Sequence, residues 1–363
     1  MSSFTVTAAS IESSSPRSDS SFDFSFGVVG DTQYHDGEDG AQWGDPSRVR
    51  RYRASLVKFQ DAVQCFRDRC VQSAYAPLPI CVLLGDTIDG KCKQNGTSNS
   101  AFQAILDVLL RCNNGGPQWH FLVGNHDLYN FSRSELYAKP QFVPVQQRAR
   151  CSPDKLYYWC VEDRADPVSC VLCPVSCVQC PVFHTLTPFP LSFARSTSPH
   201  PDYHFVFLDP FEVSALGGVS SEAVASAEQT LLRKNPNIRT SGANWLLGLS
   251  EDDQRFVPYN GACSATQLAW LSQTLQDSLR QNQKVFVFCH CPLYAPCCRP
   301  SALCWNSEEV LQVLHSTGNV VGCLYGHDHD GGYACDAQGV HHILPPAGTC
   351  MCMFTCMVYV YVL

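Results

Sequence analysis

The sequence lacks long runs of Lys or Arg, and only 16% of its 363 residues are charged. Its formal net charge is −8 at pH 7. General nucleic-acid binding requires a cationic surface, so this composition argues against a nucleic-acid-binding protein. The charge count leaves out bound metal ions, and a local cationic site is compatible with it.

The sequence also lacks the segments that direct a chain into or across a membrane. Its first twenty residues are polar and rich in serine, without the apolar stretch of about 7–15 residues that marks a signal peptide. The apolar run at 351–363 is too short to span a bilayer. Its alternating Val and Tyr residues predict a terminal strand instead. We therefore expect a cytoplasmic protein without a membrane partner.

Cysteine, by contrast, is abundant, with 22 residues. In a short secreted chain this would indicate a disulfide framework. Without a visible signal peptide, we expect most thiols to be reduced and many to be small core residues, as at Cys289. One group, Cys170-x2-Cys173-x3-Cys177-x2-Cys180, has spacings that could bind zinc, although its middle gap is shorter than in ordinary zinc ribbons.

The chain is expected to divide into a tail and one large domain. Residues 1–21 are predicted to be a disordered tail because they are polar and rich in serine. Residues 22–363 form the domain, since apolar residues make up 45% of the chain and support a substantial core. A stretch rich in Cys and Pro, at about 150–201, interrupts it and is predicted to be an irregular surface insertion unless its cysteines bind zinc.

Short apolar runs alternate with stretches of helical periodicity along this domain. Strands are predicted at Phe24–Val29, Ile80–Leu84, Trp119–Val123, Tyr203–Leu208, Lys284–Cys289 and Val320–Tyr325. Helices are predicted at Ala54–Arg69, around Phe102–Leu109 and around Leu268–Leu279. This alternation predicts an α/β fold with a buried sheet, in which functional groups collect beyond the carboxyl ends of the strands.

Polar motifs follow five of the predicted strands. They are Gly30-Asp31-Thr32-Gln33, Gly85-Asp86-Thr87-Ile88-Asp89, Gly124-Asn125-His126-Asp127, Cys289-His290 and Gly326-His327-Asp328-His329. Each motif alone is ordinarily a turn, a helix cap or a hydrogen-bonded core residue. Together they indicate a metal site, because carboxylate, amide and imidazole groups are suitable ligands for Mn²⁺, Fe or Zn²⁺. A carboxylate such as Asp86 can bridge two cations, which can hold a hydroxide and clamp a phosphoryl group.

These motifs resemble the calcineurin-like metallophosphoesterase superfamily, whose motifs run D-x-H, G-D-x-x-D, G-N-H-D/E, H and G-H-x-H. The chain has Gln33 where most members have His, and here it resembles the manganese-dependent ADP-ribose/CDP-alcohol diphosphatases, which carry D-x-Q-Y. Longer stretches resemble that family too: Leu84–Gly90, Gly124–Ser132, Tyr259–Ala262, Trp305-Asn306 and Gly326–Tyr333. The resemblance covers most of residues 24–345 apart from the insertion.

The resemblance implies an αββα sandwich, two β-sheets flanked by helices, around two divalent metal ions. Manganese is expected first, with Mg, Zn or Fe as alternatives. One ion would take Asp31, Gln33, Asp86 and His329, and the other Asp86, Asn125, His290 and His327. His126 would stabilise charge or protonate the leaving group, with Asp127 orienting its ring. Asp89 would lie behind the ligands or close its turn.

The implied activity is hydrolysis of the diphosphate bond of ADP-ribose, CDP-alcohols and related molecules by attack of a metal-bridging hydroxide. The products would be a nucleoside monophosphate and a phosphorylated partner. Two divalent cations and two ligand carboxylates would leave a charge of about +2, which attracts an anionic diphosphate. We expect a monomer that acts on small molecules.

Some interpretations stay open. Trp43, Tyr52 and Trp305 could stack on a nucleobase or pack in the core. The motifs at the strand ends also fit another binuclear phosphodiesterase or phosphatase of the superfamily. A non-catalytic binding protein, with the Cys170–Cys180 cluster as its partner-binding module, is the remaining alternative.

Overall fold

The structure is a computed structural model that describes residues 4–8, 24–42, 45–71, 78–142, 158–160, 194–240, 242–348 and 357–362. Its strands are β1 (Phe4–Ala8), β2 (Phe24–Val29), β3 (Gly40–Gln42), β4 (Asp45–Arg50), β5 (Ile80–Leu83), β6 (Gln118–Phe121), β7 (Tyr158–Cys160), β8 (Arg195–His200), β9 (Tyr203–Phe207), β10 (Lys284–Cys289), β11 (Val320–Tyr325), β12 (Gly332–Cys335), β13 (His341–Leu344) and β14 (Met357–Val362). Its α-helices are α1 (Tyr52–Val71), α2 (Lys91–Gln94), α3 (Ser98–Cys112), α4 (Asn125–Asn130), α5 (Arg133–Tyr137), α6 (Ser221–Lys234), α7 (Ala265–Arg280) and α8 (Ser307–His315). Short 3-10 helices lie at Pro236–Arg239, Ala295–Cys297 and Pro300–Ala302.

Most of these strands belong to two sheets. The first has the order β1-β14-β2-β5-β6, and the second has the order β12-β13-β11-β10-β9-β8-β7. Strands β2, β5 and β6 are parallel neighbours in the first sheet, and β9, β10 and β11 are parallel neighbours in the second. Because parallel neighbours end at the same edge, the polar segments that follow them are brought together.

The two sheets pack face to face through an aromatic layer. The ring of Phe26 on β2 lies edge-on to Phe205, Phe286 and Phe288, with centroid distances of 4.7, 5.0 and 5.8 Å. Full burial of one such ring contributes about 1.5–3 kcal/mol of transfer free energy. Helices α1 and α3 pack together on the first sheet, and α7 contacts β10 and α8 on the second. The predicted αββα sandwich is therefore confirmed.

The six strands predicted from apolar runs are all present, and their bounds differ from the prediction by at most two residues. The helical periodicities correspond to α1, α3 and α7. The predicted terminal strand is β14, which lies between β1 and β2 and pairs antiparallel with both. The sequence pattern therefore predicts the elements that position the motifs.

Two segments differ from the prediction because each pairs with strands of a sheet. Phe4–Ala8, within the predicted disordered tail, forms β1 and pairs with Met357–Val362. Arg195–His200, within the predicted surface insertion, forms β8 between β7 and β9, and its first three residues are buried. The prediction of an irregular insertion was wrong for these six residues. The four cysteines of the predicted zinc cluster, Cys170, Cys173, Cys177 and Cys180, lie outside the described residues.

Many of the described cysteines behave as small core residues. Those that are buried free thiols are Cys81, Cys92, Cys112, Cys263, Cys289, Cys291, Cys297, Cys304 and Cys323. Burial is the main cause that raises the pKa of Cys323 to about 12. The Cys323 thiol is therefore protonated and apolar in character. Among the described helices, none has the length and apolar character needed to cross a membrane.

Candidate metal centre

The carboxyl ends of β2, β5, β6, β10 and β11 converge on one cluster of oxygen and nitrogen donors. Ligand atoms of Asp31, Asp86 and His329 all lie within 4.8 Å of one another, and so do those of Asp86, His290 and His327. The carboxylate of Asp86 belongs to both groups. The structure thus brings together the carboxylate and imidazole members of the two ligand sets proposed from sequence.

Gln33 adds an amide oxygen to the first group. Its side chain is fully buried, and its Nε2 donates a hydrogen bond to Asp86 Oδ2 at 2.9 Å. Its Oε1 has no hydrogen-bond partner in the part of the chain that the structure describes. A buried polar atom left unsatisfied costs about 1–3 kcal/mol, and coordination of a cation would remove that cost.

His290 likewise offers an unsatisfied ligand atom to a cation in the second group. Its Nδ1 donates to the backbone oxygen of Leu84 at 2.7 Å, so in the neutral ring Nε2 carries a lone pair. This Nε2 lies 3.2 Å from Asn125 Oδ1 and 3.5 Å from Asp86 Oδ1. Three acceptors that face one another repel, and a cation between them turns this repulsion into coordination. The donor set therefore fits two divalent ions.

The backbone is left-handed at three of the candidate ligands. The φ angles are 43° at Gln33, 50° at Asp86 and 72° at His327. Non-glycine residues rarely adopt such angles, and each residue that does so costs about 1–3 kcal/mol of conformational free energy. Hydrogen bonds hold them there: Gln33 N–H donates to the Asp86 backbone oxygen at 2.8 Å, and His327 N–H donates to Asp31 Oδ2 at 2.9 Å. Such strain is a common property of functional sites.

Two glycines leave room for the ligand carboxylates. A Cβ atom at Gly124 would overlap Asp86 Oδ1, and a Cβ atom at Gly326 would overlap Asp31 Oδ1. Neither carboxylate can move away easily, since His126 N–H donates to Asp86 Oδ1 at 2.8 Å and His327 N–H donates to Asp31. The glycines in these motifs are therefore needed for close approach.

His126 lies beside the shared carboxylate, with its Nε2 3.9 Å from Asp86 Oδ2. The Gly90 N–H donates to its Nδ1 at 2.9 Å, and Asp89 Oδ2 lies 3.3 Å from the same nitrogen. Burial lowers the pKa of His126, but the Asp86 and Asp89 carboxylates outweigh it and raise that pKa above its ordinary value. In the neutral ring the Gly90 contact leaves the proton on Nε2, and the charged ring is protonated there as well. Nε2 is therefore a hydrogen-bond donor in both states.

The prediction that Asp127 orients the His126 ring was wrong. Asp127 Oδ1 accepts from Thr87 N–H at 3.1 Å, and its Oδ2 accepts from Gly124 N–H at 2.9 Å. Its carboxylate therefore caps the start of α4 and ties it to the segment after β5. Asp89 contacts the ring instead, and its Oδ1 also accepts from Lys91 N–H at 2.9 Å, so it closes its own turn as well.

Sequence reasoning gave no role to Arg50 and Asn260, which both approach the cluster. Arg50 Nη1 lies 3.5 Å from Asp89 Oδ2, and His327 Nε2 lies 2.7 Å from Asn260 Oδ1. Asn260 belongs to the stretch Tyr259–Ala262, which resembled the diphosphatase family, and that likeness was its only signal. Arg50 had none.

The aromatic residues proposed for base stacking have different surroundings. Tyr52 and Trp305 are only 2% and 6% exposed, which indicates that both pack in the core and do not stack on a base. Trp43 lies outside the described residues. The ring of Tyr259 lies instead 5.6 Å from His327, with Trp245 6.1 Å further along.

Comparisons with known proteins agree with this geometry. A crystal structure of a dimetal phosphatase from Danio rerio is similar to this chain with a TM-score of 0.71 and 29% sequence identity, covering 90% of this chain and 88% of that one. Proteins named manganese-dependent ADP-ribose/CDP-alcohol diphosphatase are 32% identical in Arabidopsis thaliana and 33% identical in Homo sapiens. The alignments cover 88% of this chain in both cases, and 84% and 81% of those proteins. No family model matches the chain.

The fold and the similarity to that dimetal phosphatase define a metallophosphoesterase of the dimetal class. Within that class, the chain belongs to the family of the manganese-dependent ADP-ribose/CDP-alcohol diphosphatases.

We predict that Gly124→Ala loses manganese binding while the protein stays folded, because the added methyl group overlaps the carboxylate and the backbone nitrogen of Asp86 and displaces this shared ligand. Calorimetric titration with Mn²⁺ and circular dichroism measure the two properties. Gly115→Ala is the matched control: it has a φ of 71° and open space around it, so it costs stability without touching the donors. Full manganese binding by Gly124→Ala would contradict the prediction.

Proposed function

We propose that the chain hydrolyses the diphosphate bond of ADP-ribose, CDP-alcohols and related nucleoside diphosphate-linked molecules with two manganese ions. The observation that carries the proposal is the pair of donor groups sharing Asp86, in a chain of this family. The products are a nucleoside monophosphate and a phosphorylated partner. We further propose that the protein works as a cytoplasmic monomer on small molecules, which its net charge of −8 supports by disfavouring nucleic acid.

We assign the ligands as two sets. Asp31, Gln33, Asp86 and His329 hold one ion, and Asp86, Asn125, His290 and His327 hold the other. When bound, the two ions polarise a phosphoryl oxygen and lower the pKa of water. The Asp86 carboxylate sets the distance between the two ligand sets. The amides of Gln33 and Asn125 add oxygen donors without adding charge. The local charge of about +2 then favours an anionic diphosphate.

We assign His126 to the leaving group. Its Nε2 lies 3.9 Å from Asp86 Oδ2, and its Nδ1 is held by Gly90 and Asp89. The ring is therefore fixed in the orientation in which Nε2 can donate a hydrogen bond or a proton to a phosphate oxygen. Asp89 and Gly90 perform the orienting role proposed earlier for Asp127.

We assign Arg50 to the second phosphate of the substrate. Its guanidinium shares Asp89 with His126, and its buried Nε has no hydrogen-bond partner among the described residues. Arg is suited to binding phosphate because its planar fork matches phosphate geometry. A monoester lacks the second phosphate, so Arg50 favours diphosphates over monoesters.

Asp86→Ala is expected to lower kcat/KM for ADP-ribose and CDP-choline by at least about 1000-fold with Mn²⁺, because both ligand sets lose their shared carboxylate. The exposed carboxylate variant Asp277→Ala is the control and keeps wild-type rates. Cyclic nucleotides, simple phosphodiesters and phosphopeptides complete the panel. Preference of the wild type for one of these would favour another phosphoesterase of the superfamily, and absence of all turnover would favour the binding protein.

His126→Gln is expected to lower kcat by about 100- to 1000-fold without changing the amount of manganese bound, because the ring acts on the phosphate and not on the ions. The loss should be smaller for a p-nitrophenyl nucleotide ester, whose leaving group needs no proton. His200→Gln, far from the motifs in sequence and paired with Asp202, is the control. Equal losses for both substrates would argue against a role at the leaving group.

Arg50→Ala is expected to lower kcat/KM for ADP-ribose by about 10- to 100-fold, since a hydrogen bond to a charged group contributes about 1.5–3 kcal/mol. The control is Arg53→Ala, which removes an exposed guanidinium paired with Asp36 and Glu38. Steady-state kinetics on ADP-ribose and on p-nitrophenyl phosphate separate the effects. An equal loss on the monoester would show that Arg50 does not bind the second phosphate.

A further inference from the structure

A buried amide contacts the imidazole of His327. Asn260 is fully buried, and its Oδ1 lies 2.7 Å from His327 Nε2. The His327 backbone is held separately, since its N–H donates to the Asp31 carboxylate at 2.9 Å. The backbone and the ring of this residue are therefore fixed by different partners.

The orientation of the Asn260 amide is set by its other contacts. Its Nδ2 lies 2.9 Å from the backbone oxygen of Arg255, 2.9 Å from that of Ser301 and 3.1 Å from that of Leu303. A carbonyl oxygen accepts hydrogen bonds and cannot donate them, so the NH₂ group and not Oδ1 must face these three positions. Rotating the amide by half a turn would place Oδ1 against three acceptors. The group that faces His327 is consequently an acceptor.

An acceptor at Nε2 decides the tautomer of His327. The proton of the neutral ring must lie on Nε2, where it is donated to Asn260, and the lone pair is left on Nδ1. His290 has the opposite arrangement, because its Nδ1 donates to Leu84 and its Nε2 faces Asn125 and Asp86. The two imidazoles of one donor group thus present different nitrogens.

We propose that Asn260 is a positioning residue that selects Nδ1 of His327 as its metal-binding atom. The inference rests on the proposed metal site. Partners of this kind fix the ring of a ligating histidine, and their loss lowers metal affinity by about 10- to 100-fold. Leu84 performs the task for His290 with a backbone oxygen, which no substitution removes. Of the two groups that orient His290 and His327, only the Asn260 side chain can therefore be tested by substitution.

The first experiment measures manganese binding by the full chain. In Asn260→Ala, one equivalent of Mn²⁺ should bind with wild-type affinity and the second about 10- to 100-fold more weakly. Electron paramagnetic resonance should show the spin-coupled pair replaced by an isolated ion at limiting Mn²⁺. A structural role alone would not produce this split between the two equivalents.

The matched control is Asn319→Ala. Asn319 is also a buried amide whose Nδ2 contacts two backbone oxygens, those of Leu275 and Gln283, but it precedes β11 whereas His327 follows it. This variant should lose stability and keep both equivalents at wild-type affinity. Equal weakening in the two variants, or none in Asn260→Ala, would overturn the inference while two ions bound to the wild type would still support the proposed function. Fewer than two ions in the wild type would overturn both.

A second measurement tests the inference in the protein with Asn260 intact. Nitrogen NMR of the zinc-loaded full chain reports which imidazole nitrogen carries the proton, with peaks assigned through His327→Gln and His290→Gln. The inference expects a proton on Nε2 of His327 and on Nδ1 of His290. A proton on Nδ1 of His327 would overturn it, whatever the stability of the Asn260 variant.

Discussion

The carboxylate of Asp86 is the group on which the arrangement of the centre depends. Its Oδ1 accepts from the His126 N–H, its Oδ2 accepts from Gln33 Nε2, and its backbone oxygen accepts from the Gln33 N–H. The same carboxylate belongs to both donor groups. The segments after β2, β5 and β6 are therefore held in register by one side chain, which also sets the spacing of the groups facing it.

The aromatic layer between the sheets provides the second constraint. Phe26 packs against Phe205, Phe286 and Phe288 from the opposite sheet, so each sheet fixes the position of the other. Close packing tolerates little displacement. Donors that follow β2 and β5 can consequently meet donors that follow β10 and β11 without a flexible loop between them. The left-handed angles at three ligands are maintained against this rigid frame.

The sequence predicts the strands because apolar periodicity is a local property of the chain. It predicts the clustering of the motifs because neighbouring parallel strands end at the same edge of a sheet. It does not predict which side chains contact His126. Neighbouring residues on a helix point in different directions, so Asp127 turns to the N–H groups of Gly124 and Thr87 and away from the ring beside it. Asp89 and Asn260 act over 37 and 67 residues of separation, and such contacts depend on packing that no pattern along the chain records.

The hydrogen bond from His290 to Leu84 crosses from one sheet to the other. It joins a residue that follows β10 to the backbone just after β5, within the same group of atoms that faces Asp86. Cations bound there would stabilise the chain only when both halves of the sandwich are docked correctly, in proportion to their free concentration. Metal supply in the cell would then act on the lifetime of the folded protein as well as on its activity.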